Sequence, residues 1–261
     1  MVAALAILLL ALLAAPAARA ATQGVGAAGV PDVSAACGTT AVARTDGTVW
    51  TWGANDLGQQ GDGTTTPSEV PGQVLVAAAT PLTDVIALAQ GCTTGYALRV
   101  DGSVWSWGGN QYGELGIGSS SGPSTCGATP CSPYAVQVRT SNAPAYLGSV
   151  KSIAAGTSFA LAVRSDGTVW AWGRGDSGQL GNQSTSGPNT CNAVGCSQLA
   201  IRATDPGAAS GYLQSVTDIA AGAASSAALR VDGSVVAWGS DASGATGHGS
   251  TSGTTLVPTA V

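Results

Sequence analysis

The segment Asp46-Gly47-Thr48-Val49-Trp50-Thr51-Trp52-Gly53 returns three times further along the chain. It recurs as Asp101-Gly102-Ser103-Val104-Trp105-Ser106-Trp107-Gly108, again over Asp166 to Gly173, and last over Asp232 to Gly239, where Val236 replaces the first tryptophan. The aspartates lie 55, 65 and 66 residues apart, and all seven tryptophans fall within the four copies. Self-similarity at a fixed long period is the mark of stacked structural repeats. The likeness runs on in both directions. Upstream, an apolar run ends at Arg44, Arg99, Arg164 and Arg230. Downstream, glycines fall six and nine residues after the second tryptophan, as Gly113 and Gly116 do. Most copies then close with an extended apolar segment such as Val257-Pro258-Thr259-Ala260-Val261.

Each copy translates into local structure. Ala160 to Arg164 and Thr168 to Trp172 are β-prone runs on either side of Ser165-Asp166-Gly167. Asp46-Gly47, Asp101-Gly102, Asp166-Gly167 and Asp232-Gly233 therefore read as hairpin turns of type I′, with positive φ at both central positions. Residues two apart in a strand share a face, so Trp170 and Trp172 project together while Val169 and Ala171 face the other way. Both faces must be packed. Trp50, Trp52, Trp105, Trp107, Trp170, Trp172 and Trp238 accordingly read as core residues at repeat-locked positions, rather than as a sugar-stacking surface. One unit is too small to bury its own tryptophans, and stacking on a neighbour solves the problem. The reading is an all-β, β-propeller-like array of four repeats, at about 33–76, 85–138, 150–203 and 216–261, each a small antiparallel sheet. Four repeats could close a small ring, form a partial propeller completed by self-association, or belong to a longer protein.

Composition narrows the class. Only 9% of residues are charged against 44% hydrophobic, which excludes a disordered chain and a coiled coil. The 38 glycines suit four sets of turns. The net charge is −5 and no stretch carries a basic cluster, so no nucleic-acid partner is expected. Residues 1–20, an apolar run ending in Ala18-Arg19-Ala20, read as a cleavable export signal, with a retained anchor as the alternative. Residues 21–32 read as a linker and 33–261 as the repeat domain. The expected location is secreted, periplasmic or at the cell envelope, with a soluble mature chain.

Export favours oxidised cysteines. Six cysteines allow 15 full pairings, and the repeat register selects among them. Cys126 and Cys131 lie in an insertion of the second copy, and Cys191 and Cys196 lie 65 residues later in the same insertion of the third. Two local bridges follow. Cys37 and Cys92 each stand nine residues before their aspartate, so a bridge between them would staple adjacent repeats. The competing readings are free thiols and a zinc site from the paired Cys-x4-Cys loops. Placement of the two loops on different repeats argues against zinc.

The third copy, with Gly178-Gln179-Leu180-Gly181, and the second, with Asn110 and Gly113-Glu114-Leu115-Gly116, resemble the regulator-of-chromosome-condensation repeat, a β-propeller repeat. The resemblance covers about residues 33–261. Family repeats commonly carry a histidine after a glycine before Asp-Gly. Here Thr39 or Thr40, Thr94, Phe159 and Ser225 stand there instead. The resemblance implies nucleotide exchange on a nuclear GTPase for the name-giving members. For secreted bacterial members it implies inhibition of β-lactamases through loops on one face. No loop residue of this chain matches either by motif.

Catalytic groups are hard to find. His248 is the single histidine and takes a place that varies between copies. No serine, cysteine or threonine sits in a context suggesting an activated nucleophile. Asn55, Asp56 and Asp62 could approach a calcium ion, but the pattern does not repeat. The expectation is a non-enzymatic, cofactor-free and metal-free module that binds an unknown protein or cell-envelope ligand through blade loops. Ser119 to Ser132 and Ser184 to Ser197 are the best candidates. The alternatives are an inhibitor of a secreted enzyme, a cell-envelope glycan binder, and a guanine-nucleotide exchange factor, the last requiring cytoplasmic residence.

Overall fold

The computed structural model describes residues 31–142, 145–249, 251 and 253–261. The expected export signal, and the linker as far as residue 30, lie outside them. Among the described residues every regular element is a strand, and no helix is long and apolar enough to cross a membrane.

Four antiparallel sheets follow one another along the chain. The first is built from β1 (Asp32–Ala36), β2 (Thr39–Ala43), β3 (Val49–Gly53) and β4 (Ser68–Gln73), paired in chain order. A two-stranded hairpin of β5 (Leu75–Ala77) and β6 (Thr80–Pro81) leads to the second sheet. That sheet comprises β7 (Val85–Gln90), β8 (Thr94–Arg99), β9 (Val104–Gly109), β10 (Ser124–Cys126) and β11 (Thr129–Gln137), with β10 on the outer edge beyond β11. The third repeats this plan with β12 (Val150–Ala155), β13 (Phe159–Arg164), β14 (Val169–Arg174), β15 (Asn189–Cys191) and β16 (Val194–Arg202). The fourth returns to four strands, β17 (Val216–Ala221), β18 (Ser225–Arg230), β19 (Val235–Ser240) and β20 (Thr254–Ala260).

The innermost strands β1, β7, β12 and β17 stand side by side in that order, so the sheets are the blades of a propeller. Asp32 and Ser34 on β1 accept the backbone N–H groups of Leu88 and Gln90 at 2.7 and 3.0 Å, tying the first blade to the second. The core lies between blades, in three apolar layers. One joins Ala43, Val49 and Trp107, the next Leu98, Val104 and Trp172, the third Val163, Val169 and Trp238. The outward faces of the first and last blades are exposed. The four repeats thus form an open arc.

The turns differ from the expected type. Gly47, Gly102, Gly167 and Gly233 have φ between 77 and 84°, but none of the four aspartates before them is left-handed. The turn is set one residue earlier, between Arg44 and Gly47, with Gly47 N–H donating to the Arg44 carbonyl at 2.9 Å and Arg44 N–H to that of Thr48. This is a type I turn followed by a glycine bulge, which also matches strand twist. The aspartate is there for its carboxylate: Asp46 Oδ1 accepts Thr48 N–H at 2.9 Å and its hydroxyl at 2.6 Å. An Asx hydrogen bond of this kind needs no positive φ at the aspartate.

Candidate functional site

The two tryptophans of a repeat do different jobs. Trp107, Trp172 and Trp238 are completely buried against the preceding blade. Their indole N–H groups donate to the carbonyls of Gln59, Glu114 and Gln179 at 2.7, 2.8 and 2.8 Å. Trp50, Trp105 and Trp170 are half-buried rather than enclosed, as is Trp52, which meets no preceding blade among the described residues. A relay holds each of the first three. Trp170 donates to Thr168 Oγ1, which donates to Asp166 Oδ1; Asp46 and Asp101 serve Trp50 and Trp105 in the same way. The guanidinium groups of Arg44, Arg99 and Arg164 lie over these rings at 4.3, 6.0 and 5.7 Å, covering them as cation–π partners do. Hydrogen bonds from Thr48 and Ser234 hold the Asp46 and Asp232 carboxyls below their ordinary range.

The fourth blade keeps Asp232 and Ser234 in their relay but has Val236 where the tryptophan would be. A cleft of about 700 Å³ remains, lined by Asp205, Pro206, Arg230, Asp232, Val236 and Val257 among others. Arg230 pairs with Asp205 there instead of covering a ring.

The six cysteines pair as Cys37–Cys92, Cys126–Cys131 and Cys191–Cys196. The first pair sits at one end of the axis, with Cα atoms 4.8 Å apart. The same position in the next two blades continues the row: Cys92 N–H donates to the Thr157 carbonyl and Thr157 N–H to that of Ala223.

The other two bridges brace the insertion hairpins. β10 and β11 turn at Gly127-Ala128, while β15 and β16 turn at Asn192-Ala193, where both residues are left-handed with φ of 48 and 64°. The hairpins lie next to each other on the outer edges of adjacent blades. Gln198 donates to Ser120 Oγ at 3.1 Å, and its carbonyl accepts Gly118 N–H at 2.8 Å. Between them opens a cleft of about 500 Å³ lined by Gln111, Ser120, Thr125, Thr129, Pro130 and Asn192. The lining offers hydroxyl and amide groups and carries no formal charge. It can recognise a ligand by hydrogen bonds and shape.

Of the remaining sequence candidates, Asn55, Asp62 and His248 have local structural partners. Asn55 is buried and spans its own loop, donating to Thr64 and Thr66 and accepting Gln60 N–H. Asp62 accepts both Thr64 N–H and its hydroxyl, while Asp56 is exposed. Both ring nitrogens of His248 lie by β20, near the Thr259 carbonyl and the Thr255 hydroxyl. Among the described residues, no group of three or more His, Cys, Asp or Glu side chains is placed to hold a metal ion.

One unusual group escaped the sequence reading. Glu114 is almost wholly buried, and burial pushes its carboxyl up from 4.5 to about 7. It occupies the place held by Gln59 and Gln179 in neighbouring blades, and all three accept a backbone N–H two residues earlier. The repeat alignment carried the signal: one charged residue in a column that otherwise holds Gln59, Gln179 and Ala245.

Radially stacked blades joined through buried tryptophans define a repeat β-propeller. The regulator of chromosome condensation (RCC1) repeat profile matches residues 46–98, 101–163 and 166–229, and a second profile of that repeat matches 150–179 and 216–245. The chain belongs to the RCC1 repeat family. It is similar to the human E3 ubiquitin-protein ligase HERC2, 29% identical over 219 residues, which is 83% of this chain and 4% of HERC2. Human WBSCR16 matches in structure at 24% identity with a TM-score of 0.68, over 88% of this chain and 52% of that one. Yeast RCC1 (Prp20), solved bound to Kap60, matches at 22% identity and a TM-score of 0.67, over 88% and 48%. These structural likenesses concern the fold, and the chain spans about half the length of each.

Proposed function

We propose that this chain is an exported, non-enzymatic protein-interaction module that grips a partner through the insertion hairpins of its second and third blades. The observation carrying this reading is the pair of disulfide-braced hairpins set side by side, with an uncharged hydrogen-bonding cleft between them. Bracing matters because a rigid loop loses little entropy on binding. Three disulfide pairs and no free cysteine among the described residues support residence in an oxidising compartment. Yeast RCC1 (Prp20), solved bound to Kap60, supports a protein as the partner class.

The test is co-purification from the exported fraction of the native host, comparing the intact chain with Thr125→Arg and Asn192→Arg. Both changes alter the cleft lining without touching a blade core. One protein retained by the intact chain and released by both variants is the expected result. If that protein is a hydrolase whose activity falls on binding, the module is an inhibitor. Equal retention by all three chains would refute the hairpins as the binding site.

A further inference from the structure

The junction between blades is built three times in this chain, always from the same two faces. One face presents the residues three before and three after the turn aspartate: Ala43 and Val49, Leu98 and Val104, Val163 and Val169, all 0% exposed. The opposite face of the next blade presents an inner-strand residue, Leu88, Ile153 or Ile219, at 2–3% exposed, and a fully buried tryptophan. Two hydrogen bonds mark every junction. The tryptophan donates to the loop carbonyl of Gln59, Glu114 or Gln179. The first residue of the next inner strand, Val85, Val150 or Val216, donates to the carbonyl of Gly47, Gly102 or Gly167 at 3.1 Å.

The ends of the arc carry the two halves of this junction unjoined. On the last blade, Leu229 and Val235 occupy the first-face positions and are 41% and 40% exposed. Its Ala245, in the column of Gln59, Glu114 and Gln179, is exposed where those three are buried. A Cβ added at Gly233 would meet nothing within 4 Å, whereas one at Gly47, Gly102 or Gly167 would strike the next blade at 2.9, 3.0 or 3.1 Å. On the first blade, Val33 takes the place of Leu88, Ile153 and Ile219 and is 67% exposed, and Trp52 is half-buried. Each end displays what the other end is shaped to receive.

We propose that copies of this chain associate head to tail, the last blade of one docking on the first blade of a second through a fourth example of the internal junction. Trp52 donates to the Ala245 carbonyl of the second copy, and Val33 packs against the face that displays Leu229 and Val235. The contact is heterologous, and such contacts satisfy every end only when the ring closes. The described blades show one face of each kind, so the same junction can recur from copy to copy.

The test uses the full chain in sedimentation velocity and light scattering over a range of concentrations. The expected result is association to twice the chain mass or more, its share growing with concentration. Val33→Glu and Leu229→Glu, each at a side chain exposed in the single chain, should separately reduce it to monomer while leaving the far-ultraviolet circular dichroism spectrum unchanged. A monomer at every concentration, or a dimer that survives both substitutions, would overturn the proposal. A covalent trap gives an independent reading. Position 223 in the last blade corresponds to Cys92, so a Cys92→Ala, Ala223→Cys chain presents to the free Cys37 of a second copy the approach seen in Cys37–Cys92. A disulfide-linked dimer on a non-reducing gel, lost when Leu229→Glu is added, is expected. A chain that stays uncrosslinked, or crosslinks equally with Leu229→Glu, would refute the docking.

Discussion

Glu114→Gln should make the protein more stable at neutral and alkaline pH and leave it nearly unchanged in mild acid. The carboxyl is 1% exposed and accepts Tyr112 N–H at 2.6 Å, with Arg174 of the next blade the cation that favours its charged form. Burial outweighs both, raising it from 4.5 in the unfolded chain to about 7 in the fold. The folded state therefore holds a proton that the unfolded state has released, and the contribution is complete below pH 4.5. It is lost as pH rises towards 7, at a slope of about 1.4 kcal/mol per pH unit, for a total of about 3 kcal/mol. Glutamine keeps the acceptor oxygen, as Gln59 and Gln179 do for Leu57 and Ser177, and cannot ionise. Urea unfolding of the oxidised protein between pH 4 and 8 measures the effect as the difference between wild type and variant. Subtraction is needed because Asp32 and Asp218, also raised by burial, titrate in both proteins. The variant should gain about 3 kcal/mol by pH 8 and about nothing at pH 4. Parallel stability curves across the range would show that Glu114 is not ionising in a buried site, and the reasoning would fail.

Three further outcomes are expected. Gly102→Ala should cost more than Gly127→Ala in denaturant unfolding, because both are left-handed at φ of 77 and 59° but only the first would drive a Cβ into the next blade, at Ser149. Val236→Trp should raise stability by about 1–2 kcal/mol in thermal unfolding, since it fills an existing cleft and meets Ser234 already held by Asp232 as the indole acceptor. Non-reducing peptide mapping should recover the three pairs, and opening Cys37–Cys92, 55 residues apart, should cost about 4 kcal/mol against about 2 for Cys126–Cys131, five apart.

What could be read from the chain, and what could not, divides along a physical line. Strand pairs, turn glycines and the stacking of blades follow from side-chain alternation and from repetition, both of which are local and cumulative. The turn type did not follow, because Asp-Gly serves two hairpin geometries equally well. The choice lies in whether Asp46 contributes a left-handed φ or a carboxylate for Thr48. The division of labour between the two tryptophans was hidden for a related reason. Trp170 and Trp172 share a strand face, yet one lies deep against the preceding blade and the other near its rim under Arg164. Alternation reports which face a side chain takes and is silent about its distance from the edge.

The same distinction bears on the outer faces of the first and last described blades. A residue such as Leu98 or Val163 is buried only because another blade follows, so burial here is a property of neighbours rather than of the repeat itself. Leu229 has the same strand position and the same chemistry, and differs only in what comes next. In a stacked array stability is carried by the interfaces, and each terminal face forfeits one. Exposed sheet faces of this kind favour association with a matching surface. Here the matching surface is already encoded, at the opposite end of the same chain. The insertion hairpins lie on the outer edges of the two middle blades, away from the blade faces that would join. Two docked copies would therefore carry two braced clefts, and a bivalent partner would be held more tightly than either cleft alone could hold it.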